Sequence, residues 1–164
     1  MGLLQPDGRG RRLFRRNALT EDAPVIIVHS LAHAVAALSA AAEAGRAVTL
    51  LGAPDAGISA GPGWFGALVA AARETVPAAR CRAFLDCGDD AGAAQAAIRA
   101  GIEAVIFTGR NDIVERLADI AGQRGIRLVT VRPDGALDLG AQFFASSEAL
   151  YRLCADALAS FPPV

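Results

Sequence analysis

The residues able to do chemistry gather in one stretch, Arg82-Ala83-Phe84-Leu85-Asp86-Cys87-Gly88-Asp89-Asp90. An apolar run delivers a carboxylate and a thiol, then two more carboxylates, to the start of a helix. Asp86 has the chemistry of a general acid or base. Asp86, Asp89 and Asp90 could gather a hard cation, while Asp89 or Asp90 could equally cap the helix beginning at Ala91, where negative charge opposes the dipole. Arg110 and Arg132 follow two other apolar runs. They could clamp a phosphate or carboxylate, or neutralise the aspartates around Asp86. His29, Asp55 and Asn111 follow apolar runs as well and complete the candidate ligand-binding set.

Composition removes several chemistries. All 16 basic residues are arginine. Schiff-base aldolases, pyridoxal enzymes and Walker-type NTPases need a lysine amine, so those classes are excluded unless another chain supplies it. Arginine is a poor general base, which leaves proton transfer to carboxylates, His or Cys. A net charge of −1 gives no reason to expect nucleic acid or a membrane surface as partner. No apolar run approaches the roughly 20 residues of a membrane span. The three cysteines (Cys81, Cys87, Cys154) lack metal-type spacing and read as thiols of a reducing cytoplasm. With no secretory pattern at the N-terminus, a cytoplasmic protein is expected.

Two spacings match known motifs without their structural context. Gly61-Pro62-Gly63-Trp64-Phe65-Gly66 matches G-x-G-x-x-G, and Asp86 stands 20 residues beyond Gly66. Yet a long loop separates the preceding strand from Gly61, and Pro62 and Trp64 crowd the close approach a pyrophosphate needs, so a loop and helix start are expected. His29 and His33 are four apart, but His29 belongs to a strand end and not to the helix.

β-Branched or apolar runs alternate with helix-period stretches along the chain. Strands are expected at 25–28, 48–51, 83–85, 104–107 and 128–131. Helices are expected at about 31–44, from Trp64 to before Pro77, at 91–100, from Asn111 or Asp112 to near Gly125, and at 146–160. Continuous apolar strands joined by helices imply parallel pairing with both faces covered. The fold class is α/β: a five-stranded, mostly parallel sheet with alternating helices, either a partial TIM-barrel-like sheet or an open three-layer sandwich. Pro133-Asp134-Gly135 reads as a turn that folds Ala136–Leu139 back as a short antiparallel sixth strand. Residues 1–23, with Arg9, Arg11, Arg12, Arg15 and Arg16 around Leu13 and Phe14, form a basic arm or hairpin; residues 24–164 form a single α/β domain. The rest of the chain is mildly acidic, so the arm could pair with the chain's own surface or a copy of it.

The order of elements and their local phrasing resemble the class II fructose-bisphosphate and tagatose-bisphosphate aldolases. Where that family has Leu-Asp-His-Gly after its third strand, this chain has Leu85-Asp86-Cys87-Gly88. Where the family has Asp-Gly-Ser after the fourth, this chain has Thr108-Gly109-Arg110. The small-residue loop Ala53–Gly63 and the Arg124-Gly125 turn also look alike. The resemblance implies a (β/α)8-type zinc site with Asp86 as acid/base and Cys87 in a metal-ligand position. This chain departs from the pattern in its late strands. The family's two further zinc histidines have no counterpart, and the other histidines here are His29 and His33. The resemblance thus implies a truncated barrel that has lost zinc catalysis and serves as a binding or structural protein for a small anionic or sugar-like ligand. No cofactor is expected; zinc would have to rest on Cys87 and His29. Two alternatives stay open: an active lyase or isomerase on small hydroxy-carbonyl sugars using Asp86, or an interaction module working through the arm. A sheet cut from a barrel leaves edges that invite pairing, so a homodimer is expected.

Overall fold

A computed structural model describes residues 23–161. The expected basic arm lies outside the described residues. The chain alternates strand and helix: β1 (Val25–Val28), α1 (Leu31–Glu43), β2 (Ala47–Gly52), α2 (Ala56–Ser59), α3 (Gly61–Thr75), β3 (Arg80–Asp86), α4 (Ala91–Arg99), β4 (Ala104–Ile106), α5 (Asn111–Gln123), β5 (Arg127–Val129), β6 (Leu137–Asp138) and α6 (Ser147–Ser160). The strands form one sheet in the order β5-β4-β3-β2-β1-β6, and every pair is parallel.

Local chemistry sets the helix starts. Ser30 caps α1 by accepting the His33 N–H, Asp90 caps α4 through Ala93, and Ser146 caps α6 through Ala149. Pro62 stands at the first turn of α3, where its missing N–H costs nothing; the Gly-Pro-Gly stretch is therefore a helix start. α2 is a single extra turn inside the stretch expected to be loop.

Alternation along the strands divides the sheet into two unlike faces. Ile26, Val28, Leu50, Leu85, Cys87 and Val105 point to one side and pack with buried residues from α1, α3, α4, α5 and α6 in one large core. Leu51, Phe84, Ala104 and Ile106 point to the other side and form a small separate cluster with Val25, Ile27 and Val129. Among the described residues that second cluster holds strand residues only. The open three-layer sandwich is thereby replaced by the other expected form: helices on one face, as around a barrel, with the sheet left unclosed.

The sixth strand corrects the expectation of an antiparallel return. Leu137 and Asp138 pair in parallel with Ile26 and Ile27 at the far edge of the sheet from β5. The Pro-Asp-Gly stretch does not close a hairpin; it lies on a crossing over the strand tips. In a flat sheet five strand spacings would separate β5 from β6 by roughly 24 Å. Eight Cα steps reach at most about 28 Å when fully extended, and this crossing also turns at Gly135 (φ 71°). The crossing therefore has little slack, and it carries Arg132 over the strand tips to Asp86 and Asp55.

Candidate functional site

The strand alternation that buries Leu85 among the helices turns Asp86 to the opposite face, at the carboxyl end of β3. Asp86 is 1% exposed. Its Oδ1 accepts the Gly88 N–H at 2.8 Å. Arg132, carried over the tips by the crossing, forks onto it: Nη2 donates to Oδ1 at 3.1 Å, and Nε donates to Oδ2 in a still shorter contact. Arg132 Nη2 also donates to Asp55 Oδ1 at 2.9 Å. Hydrogen bonding from Asp86, then the nearby carboxylate charges, raise the Arg132 pKa against the cost of its desolvation. Asp55, Arg132 and Asp86 thus form one ion-paired triad.

The backbone is shaped to admit it. Asp55 sits in the left-handed region at φ 59°, which aspartate tolerates better than most residues. Gly88 is also left-handed, and a Cβ there would stand 2.2 Å from Asp55 Oδ1. At Gly57 a Cβ would stand 2.4 Å from Cys87 Sγ, so α2 lies directly against the β3 exit.

Cys87 adjoins Asp86 but faces the core. It is fully buried, and burial first, then the charges of Asp86 and Asp90, push its thiol up to about 12. A zinc ligand must be a thiolate open to the ion. A protonated sulfur packed against Gly57 does not fit that role. Among the described residues, no three His, Cys, Asp or Glu side chains are placed to hold a metal ion.

Arg110 and Asn111 are not drawn in. Arg110 forks onto Asp112, with Nε to Oδ1 at 3.0 Å and Nη2 to Oδ2 at 2.6 Å, and its side chain is 79% exposed. Asn111 is the exposed first residue of α5. Asp90 is occupied as a helix cap, the structural role weighed for it against cation binding.

His29 belongs to a second cluster at the tips of β1 and β6, two strands or roughly 10 Å across the sheet from β3. Its Nε2 pairs with Asp138 Oδ1 at 2.6 Å, and Asp138 also accepts the Gly140 N–H at 2.8 Å. Burial works to raise the Asp138 pKa, but the Gly140 N–H and His29 outweigh it and hold the carboxyl low. The His29 N–H donates to His33 Nδ1 at 3.2 Å. That bond fixes the neutral His33 tautomer with its proton on Nε2. His33 is fully buried, and its Nε2 has no partner within hydrogen-bonding distance, although the Gln142 backbone lies near enough to favour protonation. Desolvation dominates and lowers its pKa below 6.5. Phe143 closes the cluster edge-on to His33, with ring centroids 5.8 Å apart. Asp138 and His33 were missing from the sequence-derived set. An acid at the end of a strand-like run was the one visible sign of Asp138; nothing local announced the burial of His33.

No family model and no curated protein matches the sequence. Among solved structures, the chain is similar to a "putative fructose-1,6-biphosphate aldolase from Coccidioides immitis", with a TM-score of 0.55 and 17% identity. The match covers 84% of this chain and 54% of that one, so this chain spans about half the length of the enzyme it matches. The likeness is one of fold. It agrees with an unclosed parallel sheet carrying helices on one face, a partial-barrel form of the architecture the sequence resemblance implied.

Proposed function

We propose that this chain is an aldolase-like partial barrel without metal-dependent carbon–carbon chemistry, working as a structural and assembly unit. One observation carries the reading: Arg132 of the same chain occupies both oxygens of Asp86, the carboxylate in the acid/base position of the resembled family. A general base must come within about 2.6–3.2 Å of the proton it removes. With Gly88 and Arg132 on Asp86, and Cys87 sealed in the core, the residues that would run the chemistry are committed to the protein's own structure. Two carboxylates against one guanidinium leave the triad net negative, which speaks against a phosphate ligand there. Arg132 instead acts as a latch, holding the crossing from β5 to β6 onto the tips of β2 and β3. Among the described residues β5 has a strand neighbour on one side only, and a second copy covering that edge is the assembly we propose.

Retro-aldol turnover of fructose-1,6-bisphosphate and zinc content, measured on purified protein supplied with zinc, test the reading. The expected results are no turnover and no stoichiometric zinc, with Asp86→Asn lowering the melting temperature. Turnover abolished by Asp86→Asn, or stoichiometric zinc lost on Cys87→Ser, would overturn it in favour of an active lyase.

A further inference from the structure

The large hydrophobic side chains left exposed share one end of the molecule. Leu31 follows β1, Ile58 and Trp64 follow β2, Val131 follows β5, and Phe143 and Phe144 follow β6; Phe144 is 97% exposed. All lie on segments leaving the carboxyl ends of strands. Exposed apolar side chains concentrated in this way mark an interaction surface.

The balance of charge also differs between the two ends. Asp55, Asp89, Asp90, Asp112, Asp134 and Asp138 are exposed at this end. The basic residues there, Arg110 and Arg132, are each already held by an aspartate. Arg46, Arg73, Arg80, Arg99, Arg124 and Arg127 lie at the other end, where helices hand over to strands, and outnumber the exposed Glu43, Glu74 and Glu103 there. The strand-tip end therefore asks for an occupant that is cationic and apolar together.

One stretch of this chain has that composition. Residues 9–16 read Arg-Gly-Arg-Arg-Leu-Phe-Arg-Arg, five guanidinium groups around an adjacent leucine and phenylalanine. We propose that the strand-tip end is a docking surface for the chain's own segment 9–16, folded back in cis. Arg16 precedes Val25 by nine residues, a reach of up to about 30 Å, whereas the four residues of β1 span only about 13 Å. The segment can therefore start beside the first strand's amino end and still return over its carboxyl end. The short tether gives it a millimolar-scale effective concentration, which an untethered cationic peptide would have to match. The inference rests on the surface alone and stands or falls separately from the absence of catalysis.

The chain supplies its own reporter, because Trp64 is its one tryptophan and lies in the apolar set, 42% exposed. The test uses the full chain, comparing wild type with a variant carrying Ser at Arg9, Arg11, Arg12, Arg15 and Arg16. At low salt, acrylamide should quench Trp64 less in the wild type. Trypsin should cut wild-type residues 9–16 about tenfold more slowly than in wild type at high salt, where screening removes the pairing. Phe144→Ser should speed that cleavage with circular dichroism unchanged, separating docking from folding. Protection should not vary with protein concentration. Equal quenching in the two proteins, cleavage indifferent to salt or to Phe144→Ser, or protection that grows with concentration (a second copy as occupant) would each overturn the proposal.

Discussion

The Asp86 triad and the His29 cluster lie at the same end of one sheet, and they are built on opposite terms. In the triad a buried carboxylate meets a guanidinium fork and a backbone N–H, and the spare donor of the fork goes to Asp55. In the histidine cluster a fully enclosed ring keeps an Nε2 with no partner. A matched buried network fixes one geometry, whereas an unmatched group is a standing cost that a change of protonation can act on. The difference teaches that the position with the more suggestive sequence, Asp86, is the one made rigid, and that sensitivity to solution conditions resides beside it.

Breaking the matched network should have the largest effect. Arg132→Ala leaves Asp86 buried with one backbone donor. The expected loss in urea unfolding is about 2–3 kcal/mol, at or below the range for a fully buried pair because the guanidinium is 44% exposed. Adding Asp86→Asn to that background should restore part of the loss; strictly additive losses would show that the two residues are not coupled. Next, Gly57→Ala forces a Cβ toward Cys87 Sγ and the Asp86 carbonyl. It should cost about 2 kcal/mol, with partial relief in the Gly57→Ala, Cys87→Ala double variant.

A smaller, pH-dependent effect sharpens the contrast. Above pH 6.5 His33 is neutral in both folded and unfolded chains and its titration contributes nothing. As pH falls below 6.5 the unfolded chain takes the proton first, because burial lowers the folded value. Stability should therefore decline through that window, by at most about 1.4 kcal/mol per pH unit, and level off below the folded value. His33→Gln should remove this decline in thermal unfolding followed from pH 7.5 to 4.5. Asp138, whose folded value is lowered, adds its own loss only at pH below 3.8. The smallest effect is expected from Arg110→Ala: the exposed Arg110–Asp112 pair lies outside both clusters, and the melting temperature should not move.

Strand and helix were legible because parallel β/α units write their periods plainly. The Asp90 cap and the apolar runs ending at Val28, Leu51 and Leu85 needed no long-range information. The β6 crossing was not legible. Pro133-Asp134-Gly135 carries hairpin chemistry, and what overrides it is distant: the β1 edge needs a partner, and Arg132 has two carboxylates to reach. For the same reason Arg110 and Arg132 looked equivalent in sequence. Each follows a strand, but Arg110 finds Asp112 two residues away, while Arg132 is carried across the sheet. The burial of Cys87 was not legible either, because a side chain's face at a strand exit depends on how far the pleat continues, and here it continues through the Cys87 N–H to the Ile106 carbonyl at 2.9 Å.

The pairing of β6 with β1, and of α6 with α1, joins the last described elements to the first. During synthesis, the outer edge of β1 and part of the alanine-rich flank of α1 stay uncovered until more than a hundred further residues have left the ribosome. Until α6 is delivered, the nascent domain therefore carries an unpaired strand edge and an uncovered alanine flank together.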